Sequence, residues 1–253
     1  MKKVTVILQA RMSSSRLPGK VLVPINGTPL LARQLERIKR SKLVNQIVVA
    51  TSTEASDDPI ELLCQELRVE CYRGSLHDVL DRFYQAASNY QSDVVVRLTG
   101  DCPLIDATII DTAVYEHLNS KNQYTSNSIL PDDPEHTFSY ADGLDVEVLN
   151  FETLKYVWQN TTESYYREHV TSYIRTHSEE FAIGYLHHQP SLAHYRLTVD
   201  QPEDMTLIER VFKHFDQENP DFGYLDVINY LEQHPELSAI NAKHNIYIEQ
   251  SHD

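Results

Sequence analysis

The segment 9–20 concentrates side chains of the kind that bind phosphate. It contains two guanidiniums, Arg11 and Arg16, one ammonium, Lys20, and three consecutive serines. Arginine binds phosphate oxygens through a two-pronged fork, and lysine supplies a compact charge. A Pro-Gly pair directly before Lys20 predicts a turn that returns its ammonium toward the same anion. The segment therefore predicts a polyphosphate-binding loop; the alternative is an exposed basic loop with no ligand.

Two aspartates, each at the end of an apolar run, could bind a cation. Asp101 follows the run at 93–98, and Asp200 follows the run at 194–199. Carboxylate oxygens, together with phosphate oxygens and water, are the ligands that Mg²⁺ prefers. The alternative for each aspartate is to cap the helix that follows it. Asp106, which stands directly before a helical pattern, is a better cap than Asp101.

An alternation of strand and helix patterns positions these side chains. Apolar runs rich in Val and Ile predict buried strands at 4–10, 46–51 and 93–98, with a weaker one at 69–72. Helical spacing of apolar residues predicts helices at 29–40, 59–67, 78–90 and 106–118. Such alternation implies right-handed crossovers and a mainly parallel sheet with helices on both faces. Ligands bind beyond the carboxyl ends of parallel strands, where the basic loop and Asp101 are expected.

After about residue 120 this alternation ends. The turn-rich stretch 123–150 predicts antiparallel strands, among them 144–149. Later patterns predict helices at 152–159, 164–177, 203–215 and 225–232, and strands at 181–187 and 194–199. We therefore predict an α/β fold, Rossmann-like, with a small antiparallel elaboration. One domain would span 1–253, with a nucleotide-binding half at 1–120, a substrate-side half at 121–220, and a C-terminal helix and tail at 221–253.

Composition and charge argue against some classes of function. Hydrophobic residues make up 41% and charged residues 23%, as in ordinary globular chains. The net charge of −15 argues against a nucleic-acid binder. Ten of the 22 basic residues lie in 1–42 beside a single acidic residue, which predicts a local anion site there. We interpret 33–42 as a solvated helix face, because only Arg11, Arg16 and Lys20 lie in a loop.

Location and redox state follow from shorter signals. No apolar run reaches the roughly 20 residues of a membrane helix, so no membrane insertion is expected. The apolar start is too short for a signal peptide, so we interpret it as a buried strand and expect a cytoplasmic protein. Cys64, Cys71 and Cys102 lack the spacing of a metal site and are expected to be reduced packing residues.

The segment 9–20, followed by 24–30, resembles the opening of the CMP-sugar synthetases. The resemblance is nearest to the CMP-KDO synthetases and to the spore coat polysaccharide biosynthesis protein F family. Further matching blocks run along the chain, so that the similarity covers about 4 to 215: they lie at 72–75, 78–87, 142–148 and 167–171. The glycine-rich opening of the related sugar-nucleotide pyrophosphorylases is missing, which disfavours UTP or GTP as substrate.

The resemblance implies a fold of the nucleotide-diphospho-sugar transferase type and an enzyme that transfers CMP from CTP to a sugar acid. It also implies release of pyrophosphate, a role in cell-surface or spore-coat polysaccharide biosynthesis, Mg²⁺ as cofactor and a homodimer. The catalytic residues would be Arg11, Arg16, Lys20, Asp101 and Asp200, the last two as metal ligands. The nucleotide would contact Gln9, Ala10, Arg11, Ser13, Ser15, Arg16, Lys20, Ser75, Asp78 and Arg82. The sugar would contact Asp145, Glu147, Arg167 and His169.

Alternatives to these expectations remain open. Ser75, Asp78 and Arg82 could form a helix cap with a surface ion pair, and Arg167 and His169 could belong to a salt bridge. The acids on the predicted strand could be solvated. At the level of function, the rivals are a glycosyltransferase that uses a nucleotide sugar and a non-catalytic nucleotide-binding homologue. An Asp-x-Asp pair at a strand end would favour the glycosyltransferase, but Asp101 is followed by Cys and Pro.

Overall fold

The computed structural model describes residues 2–128 and 139–245, which form a seven-stranded sheet, a two-stranded hairpin and surrounding helices. The strands are β1 (Val4–Gln9), β2 (Pro24–Ile25), β3 (Thr28–Pro29), β4 (Gln46–Ser52), β5 (Glu70–Gly74), β6 (Val94–Thr99), β7 (Tyr124–Ser126), β8 (Glu147–Asn150) and β9 (Ile183–Tyr185). The helices are α1 (Leu30–Ile38), α2 (Asp58–Glu66), α3 (Val79–Asn89), α4 (Ala107–Asn119), α5 (Phe151–Asn160), α6 (Ser164–His169), α7 (Ser172–Thr176), α8 (Pro202–Glu218), α9 (Tyr224–Gln233) and α10 (Pro235–Ser238).

The strand order brings the ends of the first and sixth strands together. The sheet runs β5-β4-β1-β6-β8-β7-β9, and its first four strands are parallel. β8 is antiparallel to both β6 and β7. Gln9, the last residue of β1, lies opposite Thr99 of β6 and Ala50 of β4. The carboxyl ends of these strands therefore form one edge, from which the basic loop and Asp101 both begin.

Alternating side chains of the central strands form two cores, one on each face of the sheet. Val6 and Leu8 belong to the core that α1, α4 and α8 cover. Ile7 and Val95 belong to the core that α3, α5 and α7 cover. A fully buried side chain of this size contributes about 1.5–3 kcal/mol. The three-layer α/β arrangement predicted from the sequence is confirmed.

Most predicted strands and helices have observed counterparts that differ by one or two residues at the ends. All four strands predicted before residue 100 are present, including the weak one, which is β5. The predicted strand 144–149 becomes β8, and 181–187 shortens to β9. Part of the predicted antiparallel stretch, 129–138, lies outside the described residues. Among the described helices, none is both long and apolar enough to cross a membrane.

Three predictions about local structure are wrong. The helix expected at 164–177 divides into α6 and α7, because Val170 adopts a φ of 51° that no α-helix accommodates. The run 194–199 is extended but forms only an isolated bridge, between Asp142 and Arg196. It is buried by packing against the loops at 101 and 142, not by pairing within the sheet.

The basic face of α1 is the third correction. Arg37, expected in solvent, is 3% exposed and donates to the carbonyls of Ile105 and Phe222, at 2.8 and 3.0 Å. Arg33 pairs with Asp216 at 2.6 Å. Regular spacing of charges on a helix does not reveal that other segments, here α8 and the residues before α9, cover it.

Candidate active site

A cavity of about 240 Å³ lies at the carboxyl ends of β1 and β6. The loop after β1, the start of α3, the end of β6 and the end of α6 surround it. Of the residues predicted from the sequence, those that line it are Gln9, Ala10, Arg11, Ser15, Arg16, Lys20, Arg82, Asp101, His169 and Asp200. The predicted residues that do not line it are Ser13, Ser75, Asp78, Asp145, Glu147 and Arg167. Ser14 and Arg97, which were not predicted, also face the cavity.

The loop after β1 is closed by a turn and tied to β4. Gly19 has a φ of 75°, in the left-handed region that glycine tolerates, and donates to the Met12 carbonyl at 2.8 Å. The Met12 amide in turn donates to Asp57 Oδ1 at 2.8 Å. Asp57 is 1% exposed and accepts from the backbone and hydroxyl of Ser52. Burial raises the pKa of Asp57, but these hydrogen bonds outweigh it and the net shift is downward.

Lys20 joins the two predicted metal ligands. It is 6% exposed, and its Nζ lies 3.0 Å from Asp101 Oδ2 and 2.7 Å from Asp200 Oδ1. A third bond, of 2.8 Å, goes to the carbonyl of Val199. Burial lowers the pKa of Lys20, but the two carboxylates more than offset it, so the net shift is upward and the ammonium stays charged. The Pro-Gly turn thus directs Lys20 toward carboxylates as well as toward the cavity.

The same geometry tests whether Mg²⁺ fits. Asp101 and Asp200, from segments almost a hundred residues apart, direct one oxygen each to a single cation position. In the described ranges no three His, Cys, Asp or Glu side chains come together as a metal cluster. Two carboxylates suit a cation that takes its other ligands from phosphate and water, as Mg²⁺ does. The residues present therefore fit Mg²⁺ in the company of a nucleotide, and Asp101 and Asp200 would hold it.

Asp200 is oriented by exposed Arg16 and by a buried group, Arg196 and Asp204, that the sequence did not indicate. Arg16 contacts it at 2.7 Å, and Arg196 lies at 3.5 Å while bonding Asp204 at 2.9 Å. Asp204 also accepts from the backbone amide of Asp200 at 2.9 Å and from Asn241 at 2.8 Å. Burial raises the pKa of Asp200, but Lys20 and Arg16 lower it to about 2. Because the capping box of α8 is formed by its neighbours, Asp200 remains available to the cavity.

Asp101 depends on the glycine before it. A Cβ added at Gly100 would lie 2.8 Å from the carbonyl oxygen of Gln9, closer than such atoms approach. The Asp101 carbonyl accepts from the amide of Val199 at 2.8 Å and from the hydroxyl of Thr198 at 3.3 Å. These bonds hold the two aspartate-bearing segments side by side. Asp106, and not Asp101, caps α4 through the amide of Thr108 at 2.8 Å.

Three residues predicted as ligand contacts instead fasten α3 to α6. Asp78 caps α3 through the Asp81 amide at 2.9 Å and accepts a forked pair from Arg167, at 2.6 Å for the shorter bond. Ser75 Oγ accepts from the Asp78 amide at 3.0 Å. The alternative interpretation, a helix cap with an ion pair, describes these contacts. Arg82 differs, because it is 2% exposed, faces the cavity and donates to the Ser75 carbonyl at 2.7 Å.

The guanidinium of Arg82 lies close to other positive charge. Burial, and after it the charge of Arg11, lower the pKa of Arg82 to about 10. A negatively charged ligand in the cavity would offset both effects by its attraction for the guanidinium. Arg82 and Arg11 therefore form, with Arg16, a cationic wall on the loop side of the cavity.

Neither of the two acids predicted to face the sugar lines the cavity. Asp145 is half-buried and accepts from the amide of Gly143 at 3.0 Å, and burial raises its pKa. Glu147 is 4% exposed and accepts from Tyr124 at 2.5 Å, from Thr171 at 2.7 Å and from Arg97. It is neither solvated nor part of the cavity wall. It holds Arg97, which does face the cavity.

His169 and its neighbour Glu168 complete the wall opposite the loop. Both lie in the last turn of α6 and are exposed. The chain reverses directly afterwards, where Val170 has a positive φ and the amide of Thr171 donates to the His169 carbonyl at 2.5 Å. A positive φ is unfavourable for a β-branched residue, and such strain is typical of functional sites. The break in the predicted helix therefore places His169 at the cavity.

A cationic loop and Asp101 at the carboxyl edge of parallel strands, with Asp200 converging on Asp101 from a neighbouring segment, are features of a nucleotidyltransferase. The family model described as cytidylyltransferase matches residues 5–234. The chain belongs to the cytidylyltransferase family.

Individual relatives agree with the family match. The chain is 32% identical over 246 residues to the spore coat polysaccharide biosynthesis protein SpsF of Bacillus subtilis, covering 94% of this chain and 98% of that protein. It is 34% identical over 112 residues to the 3-deoxy-manno-octulosonate cytidylyltransferase of Geobacter metallireducens, covering 44% of this chain and 43% of that enzyme. The solved structure of a cytidylyltransferase from Leptospira borgpetersenii superposes with a TM-score of 0.88 at 33% identity, covering 94% and 97% of the two chains.

Proposed function

We propose that this chain transfers CMP from CTP to a hydroxyl group of a sugar acid and releases pyrophosphate. The observation that carries the proposal is the convergence of Asp101 and Asp200 on one cation position below the loop of Arg11 and Arg16. Two of the relatives described above, one named for 3-deoxy-manno-octulosonate and one for spore coat polysaccharide, support a sugar acid and a polysaccharide pathway.

The reaction is an in-line displacement at the α-phosphorus of CTP. The acceptor oxygen forms a bond to this phosphorus, the bond to the bridging oxygen breaks, and its electron pair leaves with pyrophosphate. The hydroxyl proton passes to the surrounding water. When bound, Mg²⁺ would supply Lewis-acid stabilisation of the phosphate charge.

The protein's own residues orient the substrates and offset charge. Arg11 and Arg16 would bind the triphosphate and stabilise the charge that develops on the departing pyrophosphate. Lys20 occupies the position between Asp101 and Asp200 before a divalent cation binds, and once displaced from it would direct its ammonium to the phosphates. Positioning of this kind supplies most of the catalysis when the chemistry is a simple displacement.

Pyrophosphate release tests the proposal. The wild-type chain is incubated with Mg²⁺, each of the four nucleoside triphosphates and a panel of sugar acids. Release with CTP and at least one acid is the expected result. Transfer or hydrolysis of a nucleotide sugar with no pyrophosphate from CTP would establish the glycosyltransferase. Tight CTP binding with no turnover on any acid would establish the non-catalytic homologue. We also propose that the chain forms a homodimer and that it lies in the cytoplasm. Light scattering on the protein as it elutes from a size-exclusion column measures its mass and tests the dimer.

A further inference from the structure

We propose that Arg97 binds the carboxylate of the acceptor and so selects sugar acids over neutral sugars, with Glu147 as its positioning residue. This inference rests on the proposed function and names the part of the acceptor that the cavity recognises. Neither the basic loop nor the two aspartates involve Arg97, and its place in the middle of an apolar strand concealed it in the sequence.

Arg97 stands on the floor of the cavity, on the face of the sheet that α3 covers. Its backbone lies opposite Ile7 of β1 and opposite Glu147 of β8. Side chains two residues apart on a strand share a face, so Thr99 stands beside Arg97 toward the strand end. Thr99 and Gln9 line the same cavity. Arg97 is the one charged residue of β6, and its neighbours on the cavity floor, Thr99 and Gln9, are neutral.

Arg97 lines the cavity, and its Nη1 and Nη2 groups each make one bond to the protein and so retain N–H donors, whereas Nε is buried without a partner among the described residues. Glu147 accepts from Nη1, the Gln9 side-chain oxygen lies 3.3 Å from Nη2, and the guanidinium carbon lies 5.9 Å from the centre of the Phe83 ring. The side chain is 14% exposed. A planar guanidinium fixed on one edge presents a fork that matches two carboxylate oxygens.

Glu147 cannot satisfy Arg97 alone, because it is shared. Tyr124 and Thr171 donate to it, and the charges of Arg97 and Arg175 act on it together. Burial raises the pKa of Glu147, but these partners lower it to about 2, so the carboxylate stays ionised. Asp145 acts on Arg175 at the far side of the network. The Arg97 end therefore retains attraction for a second anion.

The position along the strand favours the acceptor over the triphosphate. Arg11, Arg16 and Lys20 already supply cations around the phosphates. The Arg97 guanidinium bonds the side chain of Gln9, whose backbone pairs with Thr99, and Asp101 follows two residues after Thr99. This proximity suits a sugar acid whose hydroxyl meets the α-phosphorus and whose carboxylate is a few bonds away. Arg97 also lies on the β8 side of β6, toward the half of the chain that supplies Glu168 and His169.

The test compares Arg97→Met and Arg97→Lys with a matched control, Arg33→Met. Arg33 has the same 14% side-chain exposure, an ion pair and an aromatic neighbour, and lies on α1 outside the cavity lining. CTP affinity is measured by calorimetry. KM and kcat are measured with the acids that the wild type uses, 3-deoxy-manno-octulosonate among those tried, and with their carboxamides.

We expect Arg97→Met to raise the KM for the acid about ten- to a hundredfold, as loss of a charged hydrogen-bonding partner does. The affinity for CTP should change less than twofold. Arg97→Lys should recover part of the loss, and Glu147→Gln should raise the KM less than Arg97→Met does. The carboxamide should be a poor substrate for the wild type and no poorer for Arg97→Met. Arg33→Met should leave the CTP affinity unchanged, and likewise KM and kcat for both the acid and the carboxamide.

Other outcomes overturn the inference in distinguishable ways. If Arg97→Met weakens CTP and leaves the acceptor KM alone, Arg97 belongs to the nucleotide site. If Arg97→Met raises the KM equally for the acid and the carboxamide, or raises neither, Arg97 does not bind the carboxylate. If Arg97→Met unfolds, the same comparison with Arg97→Lys decides, because the charge is kept. A wild type that releases no pyrophosphate with any acid overturns the proposed function, and this inference with it.

Discussion

Replacing Lys20 with methionine removes the ammonium that Asp101 and Asp200 share and leaves a linear side chain of similar volume. Asp200 keeps Arg16 at 2.7 Å and Arg196 at 3.5 Å, but the oxygens that faced Nζ at 2.7 and 3.0 Å now face each other. The substitution therefore separates two properties: the balance of charge in the unliganded protein and the affinity of the two carboxylates for an added cation.

The loss of stability can be worked from the burial of the group. Removing one partner of a buried ion pair costs about 3–5 kcal/mol. The side chains of Asp101 and Asp200 are 25% and 19% exposed, so solvent screens part of their repulsion. We expect a loss of about 3 kcal/mol, which lowers Tm by roughly 6–12 °C in a chain of this size. Turnover should fall by about a hundredfold or more, as when a charge-stabilising group is removed.

The response to a divalent cation is the discriminating measurement. In the wild type without nucleotide, Mn²⁺ must displace the ammonium of Lys20, whereas in the variant the position between the carboxylates is open to it. Electron paramagnetic resonance of free Mn²⁺ should therefore show about tenfold or greater tightening in Lys20→Met. Thermal unfolding should recover with Mn²⁺, by about 2.7 kcal/mol at a hundred times the dissociation constant.

The reasoning is refuted if Lys20→Met binds Mn²⁺ no more tightly than the wild type and its Tm does not respond to the ion. Asp101 and Asp200 would then form a purely structural ion-pair cluster. Arg33→Met again serves as the control, because it removes a partner of Asp216 outside the cavity. It should lower Tm without any Mn²⁺-dependent recovery.

Three further predictions concern the elements that support the site. Glu147, whose folded pKa of about 2 lies below its ordinary 4.5, stabilises the fold above pH 4.5 and loses this contribution as the pH falls toward 2. In urea unfolding, the free energy of unfolding should rise between pH 3 and pH 6 by about 2 kcal/mol less in Glu147→Gln than in the wild type. Arg37→Met should destabilise by about 3 kcal/mol, because it frees two buried carbonyls, while kcat stays within twofold. Gly100→Ala should lower kcat/KM more than tenfold, because its Cβ would displace the Gln9 carbonyl at the base of the loop, and a variant with wild-type kinetics would contradict the clash.

Local pattern predicted the parallel half of the fold because that half is built from it. β1, β4 and β6 are short runs rich in apolar residues, and the order of strand and helix leaves few topologies. The run 194–199 shows what apolar periodicity does not indicate. Its alternation reflects burial, with Leu197 and Val199 fully covered, but not a partner strand. Periodicity reports which side chains are buried, and it does not report what buries them.

Some residues of the candidate site could be predicted from residue type, and others depend on tertiary contacts. The loop residues Arg11 and Arg16 belong to one short segment of the chain, so residue type alone indicated an anion. Asp78 and Arg167 were predicted as ligand contacts, although they bond each other. Their positions are 89 residues apart, so the sequence does not reveal this pairing. A charged side chain in a sequence shows only that a partner exists. Whether that partner is a ligand or another residue depends on the tertiary structure.

Because tertiary contacts are not visible in a sequence, Glu147 was a candidate site residue and Arg97 was not. An acid on a half-apolar strand stands out in a sequence, whereas an arginine within a run of valines reads as a side chain that reaches solvent at a strand edge. In the folded sheet the two face each other across β6 and β8, and the acid is the buried member. Glu147 is 4% exposed and does not line the cavity, so a sugar hydroxyl bound there does not reach it. Its effect on a ligand must therefore pass through the guanidinium that it orients, which makes Arg97 the residue on which acceptor recognition depends.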